Sequence, residues 1–162
     1  MKFCLPAGLL TTAILGCANH SSVTPTVTDD RRGYSVNPGD FWGINFKAGE
    51  PSSNGSLLSA LSSPRDREAL KNDLAVLKKM PSNVTLRVLG FTDSKECSDV
   101  ECMKLSLRRA SSLHDWLIEQ GIPKSRLDVP HGLGSARAIG DNETEDGRAR
   151  NRRAYISYEA AP

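Results

Sequence analysis

Long apolar runs, an excess of one charge and histidine are all scarce in this chain. Its most apolar stretch, Phe3 to Gly16, falls short of the ~20 residues a membrane-spanning helix needs. Lys and Arg number 21 against 19 Asp and Glu, so the net charge of +2 gives no reason to expect a nucleic acid partner. The local basic run from Arg148 to Arg153 could be read as a phosphate patch, but Asp141, Glu143, Glu145 and Asp146 stand just before it. A solvated loop of mutually paired charges is the expectation there. The three histidines, His20, His114 and His131, are scattered, and no metal site is expected. Nor does any motif bring a nucleophile, a base and an orienting group together. Asp93 or Glu101 with His114 or His131 is the nearest to a catalytic set, so no catalytic residue is expected. With 38% apolar and 25% charged residues, the 162-residue chain has the make-up of a soluble globular protein, with room for one ordinary domain and additional segments.

What is present begins with a leader. Lys2 supplies a short basic start, Phe3 to Gly16 an apolar segment, and the run ends Ile14-Leu15-Gly16-Cys17. This ending resembles a bacterial lipobox. The resemblance implies removal of residues 1–16, acylation of Cys17, and an anchor in the outer-membrane bilayer, with Ala18 as the outer-membrane type of sorting residue. Plain secretion, with Cys17 inside the mature chain, is the alternative. Cys4 would leave with the leader, so Cys97 and Cys102 remain in an oxidising compartment and are expected to bond to each other. Residues 17–40, rich in Ser, Thr, Pro, Asn and Asp, read as the lipidated Cys and a flexible periplasmic linker. Such a linker spans about 25–30 Å on average.

From residue 41 to 159 the patterns are those of a folded domain. In Phe41 to Phe46, Trp42, Ile44 and Phe46 fall on one face of a strand. Residues 47–62 read as a Gly-, Ser- and Pro-rich loop, with Leu57, Leu58 and Leu61 as anchors. Ser63 and Pro64 open a helix whose buried stripe is Leu70, Leu74, Leu77 and Met80; Lys78 and Lys79 suit its end, and Pro81 stops it. Thr85 to Leu89 is a second strand. Ser98 and Glu101 then match a capping box, which puts Cys97 and Cys102 at the two staple positions flanking the start of a long helix. Leu105, Ala110, Leu113 and Leu117 face its core, and Gly121, Ile122 and Pro123 end it. Arg126 to Val129 and Ala154 to Tyr158 read as the last two strands, with residues 132–150 as a glycine-rich loop between them. The order β-α-β-α-β-β predicts an α+β fold, a mixed four-stranded sheet with helices packed on one face.

Gly90 to Ala110 is the stretch the rest is arranged around. It sets Asp93 just past a strand end and Arg109 on the following helix, an acid and a base on two rigid elements. Held apart, they form a receptor for a zwitterion, with Arg109 able to grip a carboxylate through two bonds. The plainer alternative is that they pair with each other at the surface. Five motifs, FTD at 91–93, LSLRRA at 105–110, GI at 121–122, the glycines at 132 and 134, and DNETEDGRARNRR at 141–153, together resemble the OmpA-like peptidoglycan-binding domain. That resemblance implies a non-catalytic domain without cofactor, whose partner is the diaminopimelate of the cell-wall peptide stem. Asp93 would take its ammonium and Arg109, not Arg108, its carboxylate. Thr92 and Leu105 would line the pocket, and Asn151 and Arg153 would contribute from the NRR motif. Phe91, Lys47 and Ala138 depart from the family pattern. The implied role is a lipoprotein tying the outer membrane to peptidoglycan. The alternative is a structural or assembly lipoprotein that uses the same fold to bind another envelope protein.

Overall fold

The structure, a computed structural model, describes residues 41–159 together with two short strands, β1 (Val27–Asp29) and β2 (Tyr34–Val36). The expected leader, Cys17 and the rest of the expected linker lie outside the described residues. The two strands pair antiparallel, Val27 opposite Val36, so part of the stretch expected to lack regular structure forms a small ribbon.

The domain then runs β3 (Ile44–Asn45), α1 (Leu57–Ala60), α2 (Pro64–Lys79), β4 (Thr85–Gly90), α3 (Asp99–Glu119), a 3₁₀ turn (Lys124–Arg126), β5 (His131–Gly132), α4 (Glu145–Asn151) and β6 (Arg153–Glu159). Its sheet has the order β3-β6-β4-β5. β6 is antiparallel to both β3 and β4, and β4 is parallel to β5, so the sheet is mixed as expected. Period-two alternation sends Leu86 and Val88 of β4 and Ala154 and Ile156 of β6 into one core with Leu70 and Leu77 of α2 and Ala110, Leu113 and Leu117 of α3.

α3 approaches the sheet backbone to backbone. A Cβ on Gly90 would fall on the Ser106 carbonyl oxygen, and one on Gly132 on the Leu107 amide. Gly132 therefore serves close packing, where a turn was expected. At its far end α3 closes as the sequence predicts: Ile122 N–H donates to Leu117 O at 3.0 Å and Gly121 N–H to Ile118 O at 2.9 Å, with Gly121 at φ 90°.

Several expectations are corrected. Gly43 takes φ 65°, and the Trp42 and Gly43 amides both donate to the Asp73 carboxylate, at 2.9 and 3.0 Å. The chain turns there, β3 keeps only two residues, and Trp42 is 61% exposed while Ile44 and Phe46 are buried. Arg126 to Val129 is not a strand; Pro123 starts a 3₁₀ turn and Leu127 makes only an isolated bridge to Leu86, so the third strand is β5. The loop expected at 132–150 contains α4, capped by Thr144 Oγ1 accepting from Gly147 N–H at 3.1 Å. Its acidic first turn and basic last turn suit the helix dipole, but it has no apolar stripe by which to be recognised. Ser98 caps α3 with no side-chain bond, and Glu101 turns to Lys104 at 2.8 Å, so the capping box does not form.

Candidate functional site

The carboxyl end of β4, the loop after it, the third turn of α3 and the segment 47–50 converge on one buried cluster of charges. Arg109 is fully buried on α3, yet all five of its N–H groups are used. Three go to backbone carbonyls: Nε to Glu50 at 2.8 Å, Nη1 to Phe91 at 2.9 Å and Nη2 to Lys47 at 3.2 Å. The remaining two grip Glu96, Nη1 to Oε1 at 2.6 Å and Nη2 to Oε2 at 2.8 Å. The Phe46 ring lies 5.2 Å from the guanidinium carbon, a cation–π contact that further fixes the plane of the group.

Asp93 is 1% exposed, and its carboxylate accepts three hydrogen bonds from its surroundings. Its Oδ1 accepts from the Lys95 and Glu96 amides at 2.6 and 2.8 Å, which shapes the turn after β4, and its Oδ2 accepts from Arg152 Nη1 at 3.0 Å. Arg152 in turn reaches Glu145 at 2.6 Å and the Phe46 carbonyl at 3.3 Å. Burial opposes the charge on Arg152, but the bonds to Glu145 and Asp93 outweigh it and push its pKa up. Those from Arg152 and Arg148 hold Glu145 below the usual carboxylate range.

No ion pair joins Asp93 to Arg109 directly. The open receptor anticipated from the sequence is instead closed from within: the base holds Glu96 and the acid holds Arg152. Thr92 is buried beside Asp93; its amide donates to Gly134 O at 2.9 Å and its Oγ1 has no hydrogen-bond partner. Leu105 is buried outside the main core. Asn151 spends its whole carboxamide on the 139–142 loop, accepting from the Ile139 and Gly140 amides and donating to Gly140 O and Asn142 Oδ1. Arg153 lies 3.9 Å over the Phe91 ring and donates to the carbonyls of Asn151 and Arg137. Both residues thus brace the walls of the cluster. Arg108 points away, as expected, to Pro51 O at 3.2 Å.

Glu96 and Arg152 escaped the sequence reading. For Arg152 a signal existed: by strand parity it shares a face with Ala154 and Ile156, whereas Arg153 shares the opposite one with Tyr155. Glu96 left none beyond its place next to Cys97, whose disulfide to Cys102 forms as expected, with Cα atoms 5.1 Å apart.

Residues 58–152 match the model of the OmpA family. The chain belongs to the OmpA family. Among curated OmpA-like relatives, the Probable lipoprotein YiaD of Escherichia coli (strain K12) is 39% identical over 99 residues, covering 61% of this chain and 44% of that protein. The Peptidoglycan-binding protein ArfA of Mycobacterium bovis is 33% identical over 113 residues, 70% of this chain and 33% of that one. The chain thus spans less than half the length of these relatives. Solved structures share the fold. The C-terminal domain of Helicobacter pylori MotB superposes with a TM-score of 0.58 at 22% identity, covering 74% of this chain and 84% of that one. The peptidoglycan-associated lipoprotein from Burkholderia pseudomallei gives 0.57 at 19% identity, covering 72% and 89%. The family stretch takes in Phe91, Thr92, Asp93, Glu96, Leu105, Arg109, Glu145, Asn151 and Arg152, and leaves out Phe46, Lys47 and Glu50 before α1 and Arg153 after α4. No helix among the described residues is long and apolar enough to cross a membrane.

Proposed function

We propose that this chain is a non-catalytic, lipid-anchored protein that ties the outer membrane to peptidoglycan by binding the diaminopimelate of the peptide stem. The observation that carries this reading is the state of Arg109: three N–H groups are fixed on backbone carbonyls, and the two that remain are spent on a carboxylate. A guanidinium held in this way is preorganised for bidentate carboxylate recognition. Asp93 supplies the complementary half. A carboxylate offers about four acceptor directions. Three are taken, by the Lys95 and Glu96 amides and by Arg152, which leaves one toward an ammonium. Thr92, whose Oγ1 is buried without a partner, would add a hydroxyl to the pocket, and the buried Leu105 would line it. Asn151 and Arg153 act on the site through the loop and ring they hold. The domain boundaries that go with this reading are a leader at 1–16, a linker at 17–40 and the binding domain at 41–159. Relatives named for peptidoglycan support it.

The test is cosedimentation of the full chain, purified in detergent, with isolated wall sacculi, and its competition by free meso-diaminopimelate. Asp93→Asn and Arg109→Lys should each lose about 2–5 kcal/mol of binding, because a buried charge is left facing an unsuitable partner. Sedimentation unchanged in both variants, with their folds intact by melting, would rule the site out.

A further inference from the structure

We infer that Glu96 is a built-in stand-in for the carboxylate of the guest: it occupies Arg109 in the ligand-free protein and must swing out before the site binds. This rests on the reading of the site given above and adds what regulates it.

The Glu96 side chain is 4% exposed and its carboxylate accepts four hydrogen bonds, two from Arg109, one from the Asp93 amide at 3.1 Å and one from the Gly49 amide at 2.9 Å. All four donors belong to groups held by something other than Glu96. Arg109 keeps its three carbonyls, Asp93 keeps Arg152, and Gly49 sits in the 47–50 turn closed by Glu50 N–H on Lys47 O at 3.2 Å. The nest therefore does not depend on the side chain filling it, and a free carboxylate can take the four bonds one for one.

The backbone around Glu96 is pinned on both sides. Asp93 Oδ1 holds the Lys95 and Glu96 amides, and Cys97 is bonded to Cys102 on α3. Departure is thus a rotation of one side chain, with the turn left in place. The same pins keep the carboxylate at high effective concentration when it is out, so it competes with every guest. Observed affinity is the intrinsic one reduced by the fraction of molecules whose nest is empty.

The experiment compares the full chain with Glu96→Gln, both in detergent, by calorimetry with meso-diaminopimelate and by melting in sodium acetate against sodium chloride at equal ionic strength. Gln keeps the volume and one acceptor but gives up the charge and the second acceptor. The expected result is about tenfold or greater tightening for diaminopimelate in Glu96→Gln, and an acetate-dependent rise in Tm in that variant alone. Equal or weaker diaminopimelate binding in Glu96→Gln overturns the inference while leaving the proposed function standing. If diaminopimelate binds neither protein, acetate decides. Stabilisation of Glu96→Gln alone upholds the inference and removes the proposed ligand, and no acetate effect in either protein overturns it. Should Glu96→Gln fail to fold, Cys97→Ser/Cys102→Ser keeps the carboxylate but lengthens its leash. Tighter binding in that double variant supports the inference, and unchanged binding overturns it.

Discussion

A guanidinium with no exposed surface is costly to bury unless every donor is met, and Arg109 meets that condition through four residues, Lys47, Glu50, Phe91 and Glu96. At this scale the sequence was partly legible. The placement of Asp93 just past β4 and of Arg109 on α3 was readable because each sits at a boundary or register position that motif and periodicity define. Their actual partners were not, because Glu96 lies in a turn, where no period applies, and Arg152 at a helix-to-strand junction where two periods compete. The Glu145–Arg152–Asp93 chain makes a prediction in pH. The Glu145 pKa is lowered from its ordinary 4.5, so this group stabilises the fold above 4.5, and the contribution is lost as pH falls through the lower folded value. Denaturant melts from neutral to acid pH should show that loss, and Glu145→Gln should flatten the acid limb by removing it. Gly90 gives a second prediction. A methyl there meets the Ser106 carbonyl, a piece of helix backbone that cannot rotate away. Gly90→Ala should cost about 1–3 kcal/mol in urea unfolding, the range of overpacked cores.

Among elements, the ones with an apolar stripe and recognisable ends were found in place. α2 begins at Pro64 and ends at Lys79 as read, and α3 stops at the Gly121-Ile122 signal. The misplaced ones are those whose stability comes from tertiary contacts. β3 is cut short by the Asp73 carboxylate 30 residues away, β5 owes its position to α3 packing over Gly132, and α4 is polar all round. The disulfide belongs to this scale as well. It closes a loop of only five residues' separation, so the chain-entropy model assigns it about 2 kcal/mol. Cys97→Ser/Cys102→Ser should lose roughly that amount in equilibrium denaturation, and the mature protein should show no free thiol on titration.

For the whole molecule, fold class and family were legible because the motifs run in order through most of the domain and tolerate errors at any one element. The proposed anchor is a separate matter, resting on Leu15-Gly16-Cys17. Cys17→Ser should move the protein from the membrane to the soluble fraction on cell fractionation; a variant that stays with the membrane would remove the lipid from the account. The glycine contacts of α3 then acquire a mechanical meaning. A protein fastened at one end to a bilayer and at the other to a rigid mesh is pulled whenever the envelope swells. Because the backbone of α3 rests directly on β4 and β5, the helix bearing Arg109 cannot slip along the strand that delivers Asp93. Tension applied at the amino terminus would reach the proposed guest without changing the spacing of the two residues proposed to hold it.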